Sequence, residues 1–400
     1  MAKLSEISLA SHLKERLVQG HPWVYRNHVP PELKLATGTW VKLRCGGWTG
    51  FGLWDNNGPI ALRIFSRKQL PDPRWLKEQV QLAWELRSPL RQSGCTAYRW
   101  LFGEGDGLPG LTVDLYGEFA VVQTYMESAT VLLEGLIAAL QATTSLKGIL
   151  LRSQHATELD KSEIGRETEG KTRLLWGQSP PGQLTVQEYD LQFSVNLQTG
   201  QKTGLFLDHR ENRRYVQGIS SGRSVLNCFA YTGAFSLYAL KGGASQVTSV
   251  DIGKGLAEAA TTNLKLNGLD PDRHTFVTAD CFEVLNRYVQ QGHTFDLIIL
   301  DPPSFAKSKQ NRYAAVRAYT KLNALALKCL VPNGLLVTAS CTSQVSPEAF
   351  REMLAAAGGM NDRRLQIIHE AGQPLDHPVP AAFPEGRYLK FVVAKVSKNS

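Results

Sequence analysis

Paired cysteines, long apolar runs and a glycine-rich phosphate loop are all missing from this sequence of 400 residues. Its six cysteines (45, 95, 228, 281, 329 and 341) are scattered, with no CxxC pair and no Cys/His cluster at zinc spacing. A disulfide scaffold is thereby excluded as a reading, and no metal site is expected. No stretch is long enough to span a bilayer, and "MAKLSEISLASHLKERL" has no apolar core of signal-peptide length. Free thiols in a reducing cytoplasm are the expectation. No GxGxxG is present, which counts against a dinucleotide-dependent oxidoreductase, because a pyrophosphate needs several glycines for close approach. Internal repeats and low-complexity segments are missing too.

What is present is the profile of a folded chain: 43% hydrophobic and 20% charged residues. The length exceeds what one core organises, so two or three domains are expected. Lys and Arg number 44 against 36 Asp and Glu, a net charge of +8. That excess suits a polyanionic partner such as nucleic acid.

Three regions succeed one another. Residues 1 to about 75 form a β-rich module, with "TWVKLRC", "WTGFGLW" and "IALRIFS" as strands split by Gly, Asn and Pro. "PDPRWLKEQVQLAWELRSPL" opens the second region as a helix with Pro at its entrance, its apolar face drawn from Trp75, Val80, Leu82, Ala83 and Leu86. "GEGDGLPGLTVDLYGEFAVVQT" reads as a turn feeding a hairpin, "SATVLLEGLIAALQATTS" as a helix, and "KGILLRS" and "TRLLWG" as strands. From about 185 strands and helices alternate: "RSVLNCF", "QVTSVDI", "HTFVTAD", "FDLIILDPP" and "GLLVTAS" are strands separated by helical patterns. Such alternation predicts an α/β fold with a doubly wound parallel sheet.

In that architecture ligands sit beyond the carboxyl ends of the strands. The first strand is followed by "NCFAYTGAF", whose Gly233 allows close backbone approach. Asp251 ends the second and suits a ribose diol; Asp280 follows the third, placed to reach an adenine edge or simply to cap a helix. "DPPSF" follows the fourth: two prolines make a rigid corner that holds out Asp301, with Phe305 as a stacking surface. "SCTS" follows the fifth, where Cys341 is either a small core residue or a nucleophile at the mouth of a site. An acid for a ribose without a pyrophosphate cradle fits a nucleoside cofactor lacking phosphates, with S-adenosylmethionine the obvious candidate.

"NCFAYTGAF", "SVDI", "DPPSFAKSK" and "VTASCTS" together resemble the class I S-adenosylmethionine-dependent RNA methyltransferases. More closely, the chain is similar to the large-subunit ribosomal RNA cytosine-C5 methyltransferase family that carries an N-terminal PUA domain. "GHPWVYRNHV", "GEGDGLPGLTVDLYG" and "GQKTGLFLDHRENR" match the same family, so the resemblance covers essentially the whole chain. It implies a PUA-like RNA-binding domain over 1–75, an α/β middle domain over 76–184 and a Rossmann-like methyltransferase domain over 185–400. It also implies cofactor contacts at Lys202, Thr203, Gly204, Phe206, Asp208 and Arg210, then at Asn227, Phe229, Tyr231, Thr232 and Gly233, and at Asp251, Asp280 and Asp301. The implied partner is ribosomal RNA of the large subunit, with no membrane; a homodimer is compatible with all of this.

Cytosine C5 is too poor a nucleophile to attack a methyl sulfonium unaided, and a thiolate added at C6 cures this. Cys341 suits that role and Asp301 the recognition of N3 and the exocyclic amine, if their strands are neighbours. Lys307, Lys309 or Arg210 would supply the cation that activates a thiol. Cys329 reads as core, Cys228 as packing under the cofactor's methionine portion, and Cys281 as a helix start beside the adenine. Ser304 stands where some relatives carry a second cysteine, so a single-cysteine scheme is implied. RNA contacts are expected from Pro302, Pro303, Phe305, Lys307 and Arg26, the last in a cluster with Arg16, His21, Trp23 and Tyr25. Trp40, Trp48 and Trp54 read as core. "LDHPVPAAFPEGRYLKF" reads as a Pro-rich loop over the base pocket followed by a last strand, with His377 as a further catalytic candidate. The alternative chemistry is methylation of a guanine or an exocyclic amine, which needs Asp-Pro-Pro but no thiol.

Overall fold

A computed structural model describes residues 4–153, 172–305 and 312–398. The chain divides into two compact units. The first holds residues 1–190, 195–207 and 375–386; the second holds 191–194, 208–374 and 387–400.

The first unit contains two sheets. Strands β1 (Ser5–Ser8), β2 (Trp23–Tyr25), β3 (Trp40–Cys45), β4 (Trp48–Trp54) and β5 (Ile60–Ser66) pair in the order β1-β3-β4-β5-β2. Alternation buries Val41 and Leu43 of β3 with Trp48 and Trp54 of β4 in one small core. Trp40 is half-buried against the neighbouring core. The second sheet runs β10-β9-β8-β7-β6, from β6 (Ala97–Phe102), β7 (Leu111–Tyr116), β8 (Phe119–Thr124), β9 (Gly148–Ser153) and β10 (Thr172–Gly177). Helices Pro73–Leu86 and Leu133–Thr143 share its core.

The first of those helices corrects an expectation. It buries Trp75, Leu76, Val80 and Ala83, whereas Leu82 and Leu86 are exposed. The stripe is centred near Ala83, so Leu82 and Leu86 fall at its edge although they share the general apolar spacing. Asp72 caps this helix by accepting from Trp75 N at 2.7 Å.

Buried charge ties this unit together. Arg87 grips Asp106 with both fork nitrogens at 2.6 and 2.7 Å, and Arg99 grips Asp114 at 2.7 and 3.0 Å. Asp114 also accepts from Thr203 Oγ1 at 2.7 Å, and the Tyr116 hydroxyl donates to that same Thr203 oxygen at 2.8 Å. Such pairs are tolerated inside only because each fork and carboxylate is so fully hydrogen-bonded.

The second unit is built on a seven-stranded sheet. Its strands are β13 (Ser224–Cys228), β14 (Gln246–Asp251), β15 (His274–Thr278), β16 (Phe295–Leu300), β17 (Leu330–Ser340), β18 (Arg363–Ala371) and β19 (Lys390–Lys398), in the order β15-β14-β13-β16-β17-β19-β18. A two-stranded piece, β11 (Leu184–Glu188) with β12 (Leu191–Val195), precedes it in the chain. "SVLNC" and "FDLIIL" are buried along nearly their whole length, as expected for central parallel strands covered on both faces. β13 to β17 are mutually parallel, as the alternation predicts. The sheet as a whole is not: β19 is inserted antiparallel between β17 and β18. Residues 372–389 join these last two strands without an α-helix, and β19 runs antiparallel to both of its neighbours.

A polar chain runs from β13 by way of the helix Ala234–Lys241 and β14 to the edge strand β15. Asn227 Nδ2 donates to Ser236 Oγ at 2.9 Å; Ser236 and Ser249 hydroxyls lie 2.7 Å apart, and Ser249 Oγ meets His274 Nε2 at 2.7 Å. Burial pushes the His274 imidazole down to about 4. The unfolded chain protonates it near 6.5, so its contribution is fully present above that pH and drains away as the pH falls towards 4. The total is about 3 kcal/mol by linkage. His274→Gln is therefore expected to flatten the fall in urea midpoint between neutral pH and about pH 4; an identical slope in both proteins would contradict this assignment.

Candidate active site

The parallel register delivers five strand ends to one edge of the second unit. Cys228 pairs with Val250 on one side and Leu300 on the other, and Leu300 pairs with Thr338. Asp251, Asp280, Asp301 and Cys341 all follow from that edge. β16 and β17 are neighbours, so Asp301 and Cys341 leave adjacent strands as the sequence reading required.

The loop after β13 is shaped by unusual backbone. Phe229 and Tyr231 take positive φ of 60° and 48°, and Gly233 takes 81°. Only glycine holds such a φ without strain, and the two aromatic residues need outside support. Asp251 supplies part of it: Oδ2 accepts from Tyr231 N at 2.9 Å and Oδ1 from Gly253 N at 3.0 Å. Each carboxylate oxygen retains a second lone pair, so a ribose diol still finds acceptors there. Phe229 N donates to Cys281 Sγ at 3.2 Å, which gives that buried thiol a structural task. Cys228 is buried beside it, and that contact with Cys281, reinforced by burial, raises its thiol pKa. Cys329 is core, pushed up to about 11 by burial.

Asp280 caps the helix Cys281–Gln291, its Oδ1 accepting from Phe282 N at 2.8 Å and Glu283 N at 3.1 Å. The capping task is real, and it engages one carboxylate oxygen. Asn227 Oδ1 is buried without a hydrogen-bond partner, an acceptor suited to a ligand that brings N–H donors. The donor set fits S-adenosylmethionine: acids for ribose and adenine, a tight turn, and no pyrophosphate cradle.

Asp301 faces a residue the sequence reading had not singled out. His209, buried in the turn before helix Arg210–Gly218, places Nε2 at 3.3 Å from Asp301 Oδ1, and its Nδ1 lies 3.1 Å from Asn212 Nδ2. Asp208 accepts from Tyr388 OH at 2.7 Å. Arg210 is fully buried beside Glu211, at 3.3 Å. Pro302 is buried and Pro303 exposed, while Phe305 packs against Tyr319 and Phe282 with ring centroids at 4.8 and 6.2 Å. Lys307 and Lys309 lie outside the described residues. Among the described residues, Lys390 of β19 brings a cation beside Cys341; its Nζ donates to Thr342 O and, at 2.8 Å, to Tyr388 O. Burial lowers it to about 8, and the field of Cys341 acts the opposite way. Lys390, His209 and Tyr388 were missed because nothing local in "YLKF" or "LDHRENR" reveals which way a side chain turns. Ile252, directly after Asp251, is apolar and 69% exposed.

Thr232, also in the second unit, accepts at its carbonyl from Asn263 Nδ2 at 3.3 Å, and the other expected contacts belong to the first unit. Thr203 is buried with its hydroxyl engaged by Asp114 and Tyr116, Gly204 has φ 139°, and Lys202 lies over the Phe206 ring at 4.3 Å. Arg16, His21, Trp23 and Tyr25 do cluster, around Glu385 and Phe383: Arg16 meets Glu385 at 2.6 Å and the Trp23 ring meets Phe383 at 4.5 Å. Arg26 donates to the carbonyls of Asp55, Asn57 and Gly58, an ordinary structural use. His377 is buried, with Nδ1 3.1 Å from Asp376 and its ring against Phe102. The Pro-rich loop that carries it is thus packed within the first unit.

Comparison with known proteins agrees with this geometry. Residues 164–374 match the S-adenosylmethionine-dependent methyltransferase family model, and residues 7–67 match a PUA-like domain. The chain belongs to the S-adenosylmethionine-dependent methyltransferases. Within them it is homologous to proteins named ribosomal RNA large subunit methyltransferase I. That of Aeromonas salmonicida is 35% identical over 97% of this chain and 98% of its own length, and that of Erwinia tasmaniensis is 36% identical over 97% and 98%. Among solved structures, SMU.776 complexed with SAH superposes with a TM-score of 0.86 at 25% identity, covering 98% of this chain and all of that one.

Asp251→Asn should weaken S-adenosylhomocysteine binding by about tenfold or more, the usual cost of losing a charged hydrogen bond. Titration calorimetry measures this, and an unchanged affinity would separate Asp251 from the cofactor.

Proposed function

We propose that this protein transfers a methyl group from S-adenosylmethionine to C5 of a cytosine in large-subunit ribosomal RNA, through a covalent adduct between Cys341 and C6. The observation that carries the reading is the position of Cys341. It is half-exposed where the other five cysteines are buried, and it ends the strand beside the one that carries Asp301. The homologues named above act, by their names, on ribosomal RNA of the large subunit. The cofactor supplies an electrophilic methyl group on a sulfonium.

In this scheme the Cys341 thiolate adds to C6, forming an S–C6 bond. The electron pair of the C5=C6 bond then forms the new bond from C5 to the methyl carbon, whose old bond to sulfur breaks with its pair left on sulfur. A base removes the C5 proton, the C5=C6 bond re-forms, and the thiolate departs. Asp301, braced by His209, receives the cytosine exocyclic amine and accompanies N3. Residues 1–75 serve as the RNA-binding module, 76–184 form an α/β middle domain and 185–400 are the catalytic domain. Pro303 and the loop beyond it meet the target base. A working thiolate also demands a reducing compartment such as the cytoplasm.

Mass-spectrometric mapping of ribosomal RNA from cells lacking the gene should show one missing 5-methylcytidine; a missing methylguanosine would mean a different base. With purified protein, Cys341→Ala should lower methyl transfer by on the order of a thousandfold or more, and Asp301→Asn by on the order of a hundredfold. Full activity in Cys341→Ala would instead support amine methylation without a thiol.

A further inference from the structure

A lysine ammonium is seldom buried without an opposite charge. Lys390 is 6% exposed, and among the described residues no carboxylate lies within ion-pair distance of it. Its Nζ donates to two backbone carbonyls, those of Thr342 and Tyr388. Carbonyls orient an ammonium without neutralising it. The strand register places this charge beside one particular residue. Lys390 stands opposite Ser340 in the β17–β19 pairing, and its Nζ reaches Thr342 O, so it contacts the residues on either side of Cys341.

We propose that Lys390 is the positioning residue for the Cys341 sulfur, its ammonium holding the sulfur as a thiolate at the end of β17. This deepens the reading of Cys341 as nucleophile and rests on it. When the S–H bond ionises, the proton leaves to solvent, Lys390 keeps its own, and the buried cation gains its counter-ion. The mutual field between the two groups has the sign this requires, since Cys341 raises the Lys390 pKa against the effect of burial. Among the described residues, the other titratable groups named for this pair do not replace it. Tyr319, from the helix Arg312–Lys328, feels Cys341 and Asp301 and is pushed by burial up to about 12, so it stays neutral. Asp301 faces His209, Asp208 takes the Tyr388 hydroxyl, and His369 on β18 is lowered by burial and so is neutral at physiological pH.

The test is iodoacetamide labelling of Cys341 in the full-length protein across a pH series, read on the Cys341 peptide by mass spectrometry. It needs neither RNA nor turnover. In the wild type the labelling midpoint should lie below the ordinary thiol value of about 8.5. In Lys390→Met it should rise by about one unit or more, slowing labelling roughly tenfold at neutral pH. Lys390→Arg should keep most of the wild-type behaviour. Binding of S-adenosylhomocysteine by calorimetry confirms that each variant is folded; if Lys390→Met is not, the wild-type midpoint and Lys390→Arg decide. A wild-type midpoint at or above about 8.5, or a midpoint that Lys390→Met leaves in place, overturns the proposal. Retained methylation in Cys341→Ala together with a low wild-type midpoint would overturn the nucleophile reading alone, leaving the Lys390–Cys341 pair standing.

Discussion

The backbone ladder of β15, β14, β13, β16 and β17 runs in a single direction, with Cys228 opposite both Val250 and Leu300 and Leu300 opposite Thr338. Every chemical group of the catalytic unit depends on that register. A slip of one residue would turn each strand's buried set outward and carry Asp251, Asp301 and Cys341 to different depths. The near-continuous burial of "FDLIIL" and "GLLVTAS" makes such a slip costly, because no face of these strands tolerates water. The core that holds the register thereby also sets the distances at its edge.

At that edge the same groups serve structure and chemistry together. Asp251 braces the strained turn at Tyr231 while keeping lone pairs for a ligand. Asp280 caps a helix with one oxygen. Asp301 is oriented by His209, and Asp208 by Tyr388. Preorganisation of this sort keeps the cost of ordering the site out of the binding step. The other five cysteines are buried: Cys228, Cys281 and Cys329 fill the sheet core, and Cys45 and Cys95 the cores of the first unit.

In the first unit buried ion pairs perform a comparable service for segments distant in sequence. Arg87 and Arg99 hold Asp106 and Asp114, Asp376 accepts from Arg99 N at 2.9 Å, and Thr203 joins through Asp114. Residues 203 and 376 are thus fixed by hydrogen bonds to residues some ninety to three hundred positions earlier. The aromatic and cationic residues near the start of the chain pack around Glu385 and Phe383 by the same logic. The composition that looks like a nucleic-acid platform is therefore partly internal packing, and the basic excess of the whole chain is the broader electrostatic signal.

Period and punctuation by themselves determined the five parallel strands, their helices and the hairpin at 111–124, because those are local hydrophobic patterns closed by Gly, Pro and Asp. They also placed Asp251, Asp280, Asp301 and Cys341 at strand ends, since a doubly wound sheet converts position after a strand into position at the ligand edge. Tertiary structure alone decided the antiparallel insertion of β19, because a strand's partner depends on contacts that its own residues do not encode. That insertion is what brings Lys390 to the flank of Cys341. It likewise decided that His209 faces Asp301 and that Leu82 lies off the buried stripe. Local sequence records which residues exist and with what period; the direction of a buried charge is settled only when distant strands pair.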